Sequence, residues 1–328
     1  MKADVDPNVI VYFNGQYIPM RDARIGILTH ALHYGTGVFE GIRAYWNPED
    51  RQLFVMRPSC HYQRWKQNCS ILRIDVPLSA DQLAAITAEL ARRNGFCTDL
   101  YIRPLAYKSA ERIGVAIDDQ DAFFIVALPF GEYLHSENGI HAGVSSWRRI
   151  DDNAIPPRGK MCGAYANSAL AGDEARRSGF DEAILLNQSG HVAEGASCNL
   201  FMMRRGRLVT PPVCENVLEG ITRDSIMELA VRELGIEIVE RPIDRSELYI
   251  CDELFFTGTA VGVAPVTRVD HRAVGAGSIG AVTRRLRQAY VDAARGRIPA
   301  YRRWLLPVYN PDSAGAPQTA LAGETSLA

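Results

Sequence analysis

The stretch RGKMCGAY, residues 158–165, places one lysine among small and apolar side chains. In such surroundings Lys160 would lose hydration, which favours the neutral amine that imine formation requires. Lys160 is therefore a candidate Schiff-base nucleophile. The alternative is a solvated loop residue, because lysines are usually exposed. The neighbouring motifs decide between the two.

A second stretch, EGASCNLF at residues 194–201, holds Glu194 in a run of small residues that leads into an apolar segment. A buried carboxylate needs a cationic partner. The protonated ring nitrogen of pyridoxal phosphate is such a partner, and the pairing makes the ring an effective electron sink. The amides of a turn would satisfy Glu194 as well, so this stretch alone leaves both interpretations open.

Two further stretches are suited to phosphate. LEGITRD, residues 218–224, reads as a tight turn entering a helix, with free backbone N–H groups and a threonine hydroxyl at its start. TGTA, residues 257–260, ends a predicted strand, and its glycine permits close approach of the backbone to a ligand. Either stretch is also compatible with a purely structural role, since Gly-Ile-Thr is an ordinary helix start.

The composition is that of an ordinary globular enzyme. The chain has 328 residues, 47% of them hydrophobic and 23% charged, with a net charge of −2. Because the charges are interspersed, there is no field to attract nucleic acid or an anionic membrane. No segment approaches the ~20 apolar residues of a membrane span, and the N-terminus lacks a signal-peptide core. We therefore expect a cytoplasmic protein whose partners are small molecules.

The seven cysteines are widely spaced and include no C-x-x-C pair, which predicts reduced thiols and no metal site. Motifs for P-loop nucleotide binding, zinc proteases and serine hydrolases are missing. One G-x-G-x-x-G occurs at residues 275–280, but no strand follows it to complete a βαβ unit. We interpret it as a turn before the last helix.

The apolar pattern predicts a mixed α/β fold. Asn14-Gly15 between two apolar runs, 9–13 and 16–18, predicts a hairpin, and Ser79 with Gln82 forms a capping box that starts a helix over residues 79–94. Further strands are predicted at 100–104, 123–128, 143–147, 183–187, 200–203 and 253–257, and further helices at 166–177, 223–234 and 279–294.

The length predicts two domains. The polar, glycine-flanked run 131–139 is typical of a connector. We expect a small N-terminal α/β domain at 1–133, a connector at 134–140, a larger C-terminal cofactor-binding domain at 141–306 and a disordered tail at 307–328.

Together these stretches resemble the branched-chain amino acid aminotransferase group of the fold type IV pyridoxal-phosphate enzymes, from about Val11 to Ala294. The resemblance is very specific, because it depends on both the order and the spacing of several motifs. These motifs are HALHYGTGVFEGIR at 30–43, YIRP at 101–104, Lys160 with Tyr165, EGASCNLF at 194–201, LEGITR at 218–223 and GTA at 258–260.

The resemblance implies a role for each matching residue. Lys160 is the implied catalytic residue, which forms the internal aldimine with pyridoxal 5'-phosphate and then acts as base and acid. The implied cofactor-binding residues are Arg64, Lys160, Tyr165, Glu194, Leu218, Ile221, Thr222 and Thr259. The implied substrate-binding residues are Tyr34, Phe39, Tyr101, Arg103, Phe130, Tyr133, Thr259 and Ala260.

The implied activity is transamination of leucine, isoleucine and valine with 2-oxoglutarate by a ping-pong mechanism. The implied assembly is a homodimer or higher homo-oligomer whose sites borrow residues from both chains. Same-fold alternatives are transaminases of (R)-amines or D-amino acids and aminodeoxychorismate lyase. Tyr101 and Arg103, two apart on a strand, would point to one face, where in the family such a pair receives the distal carboxylate of glutamate. This pair favours the branched-chain group.

Overall fold

The computed structural model describes residues 6–131 and 137–309. In the N-terminal part the strands are β1 (Ile10–Phe13), β2 (Gln16–Pro19), β3 (Gly37–Phe39), β4 (Ile42–Asn47), β5 (Gln52–Met56), β6 (Leu100–Lys108) and β7 (Asp121–Pro129). The helices of this part are α1 (His30–Tyr34), α2 (Pro58–Ile71) and α3 (Ala80–Arg93).

In the C-terminal part the strands are β8 (Ile140–Arg148), β9 (Glu182–Leu186), β10 (Val192–Gly195), β11 (Asn199–Arg204), β12 (Arg207–Thr210), β13 (Ile238–Glu240), β14 (Glu253–Gly258), β15 (Gly262–Val269), β16 (Arg272–Ala273) and β17 (Leu305–Pro307). The helices are α4 (Tyr165–Arg177), α5 (Ile221–Leu234) and α6 (Ala281–Ala294). Every strand and helix predicted from the apolar pattern overlaps an element of its own kind.

The described strands form two sheets. The first sheet has the order β17-β5-β4-β6-β7-β1-β2, with β3 also paired to β6, and its neighbouring strands are antiparallel. The second sheet has the order β10-β9-β8-β15-β14-β11-β12-β13, with β16 paired to β15. In it β8 runs parallel to β9 and β15, and β12 runs parallel to β13. The predicted mixed α/β class is confirmed.

The chain opens with the predicted hairpin. Asn14 and Gly15 both have positive φ, 47° and 87°, and Phe13 pairs directly with Gln16. A two-residue turn with both central residues in this region matches the right-handed twist of the strands it joins. Asn14-Gly15 therefore forms the turn because both residues tolerate a positive φ.

One face of the first sheet is covered by α2 and α3. Tyr62 and Trp65 from α2, and Leu83 and Leu90 from α3, are completely buried in one cluster with the strand residues. The predicted capping box is present at the start of α3: Gln82 N donates to Ser79 Oγ at 3.1 Å, and Ser79 N donates to Gln82 Oε1 at 2.8 Å.

The second sheet is buried on both faces. Successive residues of β11, Leu200 and Phe201, belong to different apolar clusters and are both inaccessible. Phe201 stacks on Phe255 of β14 at 5.3 Å between ring centroids, beneath α5 and α6. Coverage on both faces explains the nearly continuous apolar runs of these strands.

The C-terminal strand departs from the expected organisation. β17 pairs antiparallel with β5 of the first sheet, so residues 305–307 do not belong to the second sheet. Val308 is completely buried, and Gln52 Oε1 accepts hydrogen bonds from Val308 N and Tyr309 N. Residues 307–309 of the expected tail are therefore held in place, because they follow or belong to a paired strand and two of their N–H groups donate to the side chain of Gln52.

Residues 310–328 lie outside the described part of the chain, as do residues 132–136 of the expected connector. The division into two domains at that connector stays a prediction. The G-x-G-x-x-G stretch forms a turn, with Gly275 and Gly277 at positive φ and Gly280 as the N-cap of α6. No helix in the described residues is both long and apolar enough to cross a membrane.

The segment around Lys160, between β8 and α4, joins the two sheets. Phe39 N donates to Lys160 O at 3.0 Å, and Met161 forms a bridge with Val38. Gly163 N donates to Gly35 O at 3.1 Å, and a side chain on Gly35 would collide with Gly163. These contacts fix the lysine at the junction between the first and second sheets.

Removing the capping hydroxyl should destabilise the fold measurably. Ser79→Ala leaves the N–H of Gln82 without its acceptor, and we expect a loss of about 1 kcal/mol in the free energy of unfolding. Ser79→Asp keeps an acceptor at the same position and should remain close to wild type. Urea denaturation of the three proteins measures the effect, and equal stability of Ser79→Ala and wild type would contradict the role of the cap.

Candidate active site

A cavity of about 1130 Å³ lies between the two sheets. The first sheet contributes Phe39, Tyr101 and Arg103 to its wall, and the second contributes Glu194 and Thr259. Its size and its mixture of aromatic and charged walls are typical of a small-molecule site.

Lys160 lies in this cavity with its amine 2.7 Å from Tyr165 Oη. The rings of Tyr165 and Phe39 meet edge to face at 4.6 Å beside it. The amines of Lys66 and Lys108 are instead held by backbone carbonyls away from the cavity. Among the lysines that the structure describes, Lys160 is thus the one whose amine faces a ligand-sized space.

Glu194 lies in β10, and its carboxylate is almost completely buried. One oxygen pairs with Arg149 Nη2 at 2.8 Å. The other accepts hydrogen bonds from Asn199 Nδ2 at 3.0 Å and from Leu218 N at 3.1 Å. Burial raises the pKa of the Glu194 carboxyl above its ordinary value, and the Arg149 guanidinium opposes that rise.

Arg149 is a site residue that the sequence reasoning missed. The sequence predicts a cationic partner for Glu194 in a bound cofactor, whereas the chain itself also supplies one in Arg149. Arg149 immediately follows β8, and its own Nε donates to Asn216 O at 3.2 Å. The arginine pair at 148–149 after an apolar strand was the available signal.

The other end of the cavity is built to receive an anion. α5 begins there, with Gly220 as its N-cap and no side chain capping its first N–H groups. Arg64 lines the same region and donates from Nη1 to Glu219 O at 2.6 Å. Thr222 and Thr259 also line it. Backbone donors at a helix N-terminus beside a guanidinium form a phosphate seat.

Gly220 packs so closely on Asn199 that a side chain there would collide with the amide of Asn199. Asn199 in turn donates to Glu194 and to Leu218 O. The anion seat and the buried carboxylate are therefore held at a fixed separation by one asparagine. This contact also gives a physical reason for glycine at position 220.

One wall of the cavity is aromatic with a single cation. Tyr101 and Arg103 both face the cavity, as their spacing on β6 predicts, and Arg103 Nη2 donates to Tyr101 Oη at 2.8 Å. The Arg103 guanidinium lies 4.4 Å from the ring centroid of Phe39. Phe130 extends this wall, with its ring 5.0 Å from that of Tyr101. Gly41 is required nearby, because a side chain there would collide with Tyr101.

Two expected substrate-binding residues are not found in this wall. Tyr34 does not line the cavity of its own chain; its half-buried hydroxyl accepts a hydrogen bond from Gly114 N at 2.9 Å. Tyr133 lies outside the described residues. The remaining expected positions, Leu218, Ile221 and Ala260 among them, line the cavity. The role of Tyr34 therefore stays a prediction, because the resemblance implies sites that borrow residues from both chains and the cavity described here is that of one chain.

Comparison with known proteins gives consistent results. The family model described as amino-transferase class IV matches residues 37–269. The probable branched-chain-amino-acid aminotransferase of Aquifex aeolicus is 48% identical over 300 residues, which cover 91% of this chain and 96% of that protein.

Two solved structures agree closely with this fold. The branched-chain aminotransferase of Thermoproteus uzoniensis, crystallised with norvaline, has a TM-score of 0.88 at 42% identity and covers 92% of this chain and 99% of its own. The branched-chain amino acid aminotransferase of Thermobaculum terrenum in its pyridoxal-phosphate holo-form has a TM-score of 0.89 at 36% identity and covers 93% of this chain and 100% of its own.

Removing the cation beside Glu194 should destabilise the protein in a pH-dependent way. Arg149→Met leaves a buried carboxylate unpaired, and we expect a loss of roughly 3–5 kcal/mol near neutral pH. A carboxyl whose pKa is raised by folding costs stability as the pH rises, so the loss should be larger at about pH 8 than at about pH 5.

Thermal denaturation of wild type and variant across this pH range measures the difference. The double variant Arg149→Met/Glu194→Gln should recover much of the stability and show no extra pH dependence relative to wild type, because no buried charge remains at these two positions. A loss in the single variant that does not change with pH would show that Arg149 acts through packing and not through its charge.

Proposed function

The chain belongs to the class IV aminotransferase family, the fold type IV enzymes, and from this premise we propose that it is a pyridoxal-phosphate-dependent transaminase of branched-chain L-amino acids. Its substrates would be leucine, isoleucine and valine as amino donors and 2-oxoglutarate as acceptor, in a ping-pong cycle. One observation carries the proposal: a lysine amine, a buried carboxylate and an anion seat surround one cavity whose outer wall pairs aromatic rings with a single arginine.

The residues present fit pyridoxal phosphate. Lys160 would hold its aldehyde carbon covalently, and Tyr165 would donate to its ring hydroxyl. Glu194 would accept the ring N–H, since its carboxylate is fixed by Arg149 and Asn199 and faces the cavity. The uncapped N-terminus of α5 with Arg64 and Thr259 would hold the phosphate. The amine, the phenol, the carboxylate and the anion seat would thus each have a partner in the cofactor: the aldehyde, the ring hydroxyl, the ring nitrogen and the phosphate.

When bound, pyridoxal phosphate supplies an electron sink for the carbanion that forms as an amino acid loses its Cα proton. The protein's part is to position groups and to move that proton. The Lys160 amine would take the proton from Cα and deliver it two atoms further on, to the former aldehyde carbon of the cofactor, which is a 1,3-proton shift. Tyr165, whose hydroxyl lies 2.7 Å from the amine, would orient it. Glu194 would keep the ring nitrogen protonated, because a carboxylate in a dry site stabilises a neighbouring cation.

The same wall would recognise two kinds of side chain. Phe39, Tyr101 and Phe130 supply apolar surface for an aliphatic side chain. Arg103 supplies one cation for the distal carboxylate of glutamate or 2-oxoglutarate, and its hydrogen bond to Tyr101 and its position over Phe39 fix it in place. Relatives named for branched-chain amino acids, one crystallised with norvaline, favour this substrate class over amines or D-amino acids.

Replacement of the lysine tests the assignment of Lys160. Lys160→Ala should abolish turnover and the covalent attachment of the cofactor, because no other described lysine amine faces the cavity. Borohydride reduction of wild type followed by peptide mass spectrometry should place the cofactor on the peptide that carries Lys160. Activity close to wild type in the variant, or a label on Lys66 or Lys108, would remove the assignment.

Replacement of the arginine tests the dual recognition. Arg103→Met removes the cation but keeps apolar bulk, so KM for 2-oxoglutarate should rise roughly tenfold to hundredfold while KM for leucine changes little. Tyr101→Phe, which removes only the hydrogen bond to Arg103, should have a smaller effect in the same direction. Steady-state kinetics with both substrates measure it, and equal increases in the two KM values would contradict the role of Arg103.

We further propose that two copies of the chain assemble into a homodimer. Six apolar side chains from two segments of the chain, 25–32 and 113–115, are at least two-fifths exposed, and we call them the apolar patch: Ile25, Ile27, Leu28, Leu32, Ile113 and Val115. Hydrogen bonds from His30 N to Ala110 O and from Arg112 N to Leu28 O hold the two segments side by side. A contiguous exposed apolar surface of this kind is typical of a protein interface.

The apolar patch borders Tyr34, whose hydroxyl accepts a hydrogen bond from Gly114 N, between Ile113 and Val115 of the patch. In a symmetric dimer each subunit would therefore present its Tyr34 toward the other copy, which accounts for the absence of Tyr34 from the lining of its own chain's cavity.

The seven free cysteines support a further proposal, a cytoplasmic location, because reducing compartments keep thiols unpaired.

A charge in the apolar patch should separate the subunits. Ile27→Asp places a carboxylate at the most exposed position, 82% accessible, and we expect monomers together with a loss of activity. Val231→Asp, on α5 and 53% exposed, is the matched control and should remain dimeric. Sedimentation velocity measures the mass, and an unchanged oligomer in Ile27→Asp would refute this interface.

A further inference from the structure

The carboxylate of Glu40 is completely buried beside the cavity, yet it has no part in the chemistry proposed above. Arg64 donates to it twice, from Nε at 2.7 Å and from Nη2 at 2.8 Å. His61 Nδ1 lies 2.9 Å from it, and Gly41 N donates at 3.2 Å. Burial alone would raise the pKa of Glu40, but Arg64 and His61 hold it well below its ordinary value, so the group stays ionised.

These contacts fix the plane of the Arg64 guanidinium. Glu40 occupies the edge formed by Nε and Nη2, and the carbonyl of Glu219 accepts from Nη1 at 2.6 Å. Glu219 lies two residues before the start of α5. These contacts use one N–H each on Nε, Nη1 and Nη2, so one N–H on Nη1 and one on Nη2 are left over. Arg64 lines the cavity together with Ile221 and Thr222 at the start of α5.

The net charge of this cluster is not what favours an anion. The charges of Arg64 and Glu40 cancel, and burial lowers the pKa of His61, so that the imidazole adds no charge at neutral pH. A carboxylate so close to a bound phosphate would even repel it. The benefit of Glu40 must therefore come from geometry, since a planar guanidinium binds phosphate well only when its N–H groups point at the oxygens.

We propose that Glu40 is a positioning residue for the cofactor phosphate, which holds Arg64 in the one orientation that directs its unused N–H groups into the seat at the start of α5. The inference rests on the proposed function, because it requires pyridoxal phosphate in the cavity. It differs from a general structural role in one respect: Glu40 should affect binding of the phosphate and leave the rest of the cofactor untouched.

Pyridoxal, which lacks the phosphate, separates the two roles. The full-length protein is titrated with pyridoxal phosphate and with pyridoxal, and absorbance reports both dissociation constants. Glu40→Gln should raise Kd for pyridoxal phosphate roughly tenfold to hundredfold and leave Kd for pyridoxal unchanged. Glu40→Asp keeps the charge but shortens the side chain, so it should give a smaller increase and serves as the test if Glu40→Gln folds poorly.

The buried pair of Lys108 and Asp121 provides a matched control in the same sheet, with 2.8 Å between amine and carboxylate. Asp121→Asn should lower the thermal midpoint as much as Glu40→Gln does without changing either dissociation constant. The phosphorus-31 resonance of the holoenzyme should shift in Glu40→Gln and stay in place in Asp121→Asn.

Equal weakening of both ligands in Glu40→Gln, or no weakening of either, would overturn the positioning role while the proposed function stands. If wild type itself binds pyridoxal phosphate no better than pyridoxal, the phosphate seat is wrong, and the proposed function falls together with this inference.

Discussion

The pairing between the Lys160 segment and β3 is the constraint on which the rest of the site depends. The hydrogen bond from Phe39 N to Lys160 O and the bridge between Val38 and Met161 tie the loop before α4 to the edge of the first sheet. Backbone pairing of this kind permits little sliding, so the amine, the carboxylate of the second sheet and the aromatic wall of the first keep fixed separations. A catalytic lysine on an untethered loop would lose this precision.

Around this junction two buried carboxylates are each matched by an arginine. Glu194 is matched by Arg149, and Glu40 by Arg64. Each pair costs desolvation and contributes little net stability, but each leaves a carboxylate or a guanidinium in one orientation. The site is thus rigid before any ligand arrives, which reduces the reorganisation that binding and proton transfer would otherwise require.

Much of the fold followed from local sequence signals, because those signals act locally. Asn14-Gly15 adopts a turn that few other residues permit, and Ser79 with Gln82 caps α3 through contacts three residues apart. The features that the sequence did not predict depend on partners that are distant in the chain. β17 pairs with a strand about 250 residues earlier in the chain, and the partners of Glu194 and Glu40 come from other elements, so no local pattern announces them. The role of Tyr34 stays a prediction for a related reason, since the sequence does not show which chain's cavity the residue serves.

If one cavity carries both half-reactions of a branched-chain transaminase, the visible absorption spectrum of the purified protein with pyridoxal phosphate reports both. The band of the protein-bound cofactor should fall when L-leucine is added and return when 2-oxoglutarate follows, while D-alanine and (R)-phenylethylamine should leave it unchanged. A band that ignores L-leucine but is bleached by either of those compounds, or no band at all with added cofactor, would contradict the proposed function.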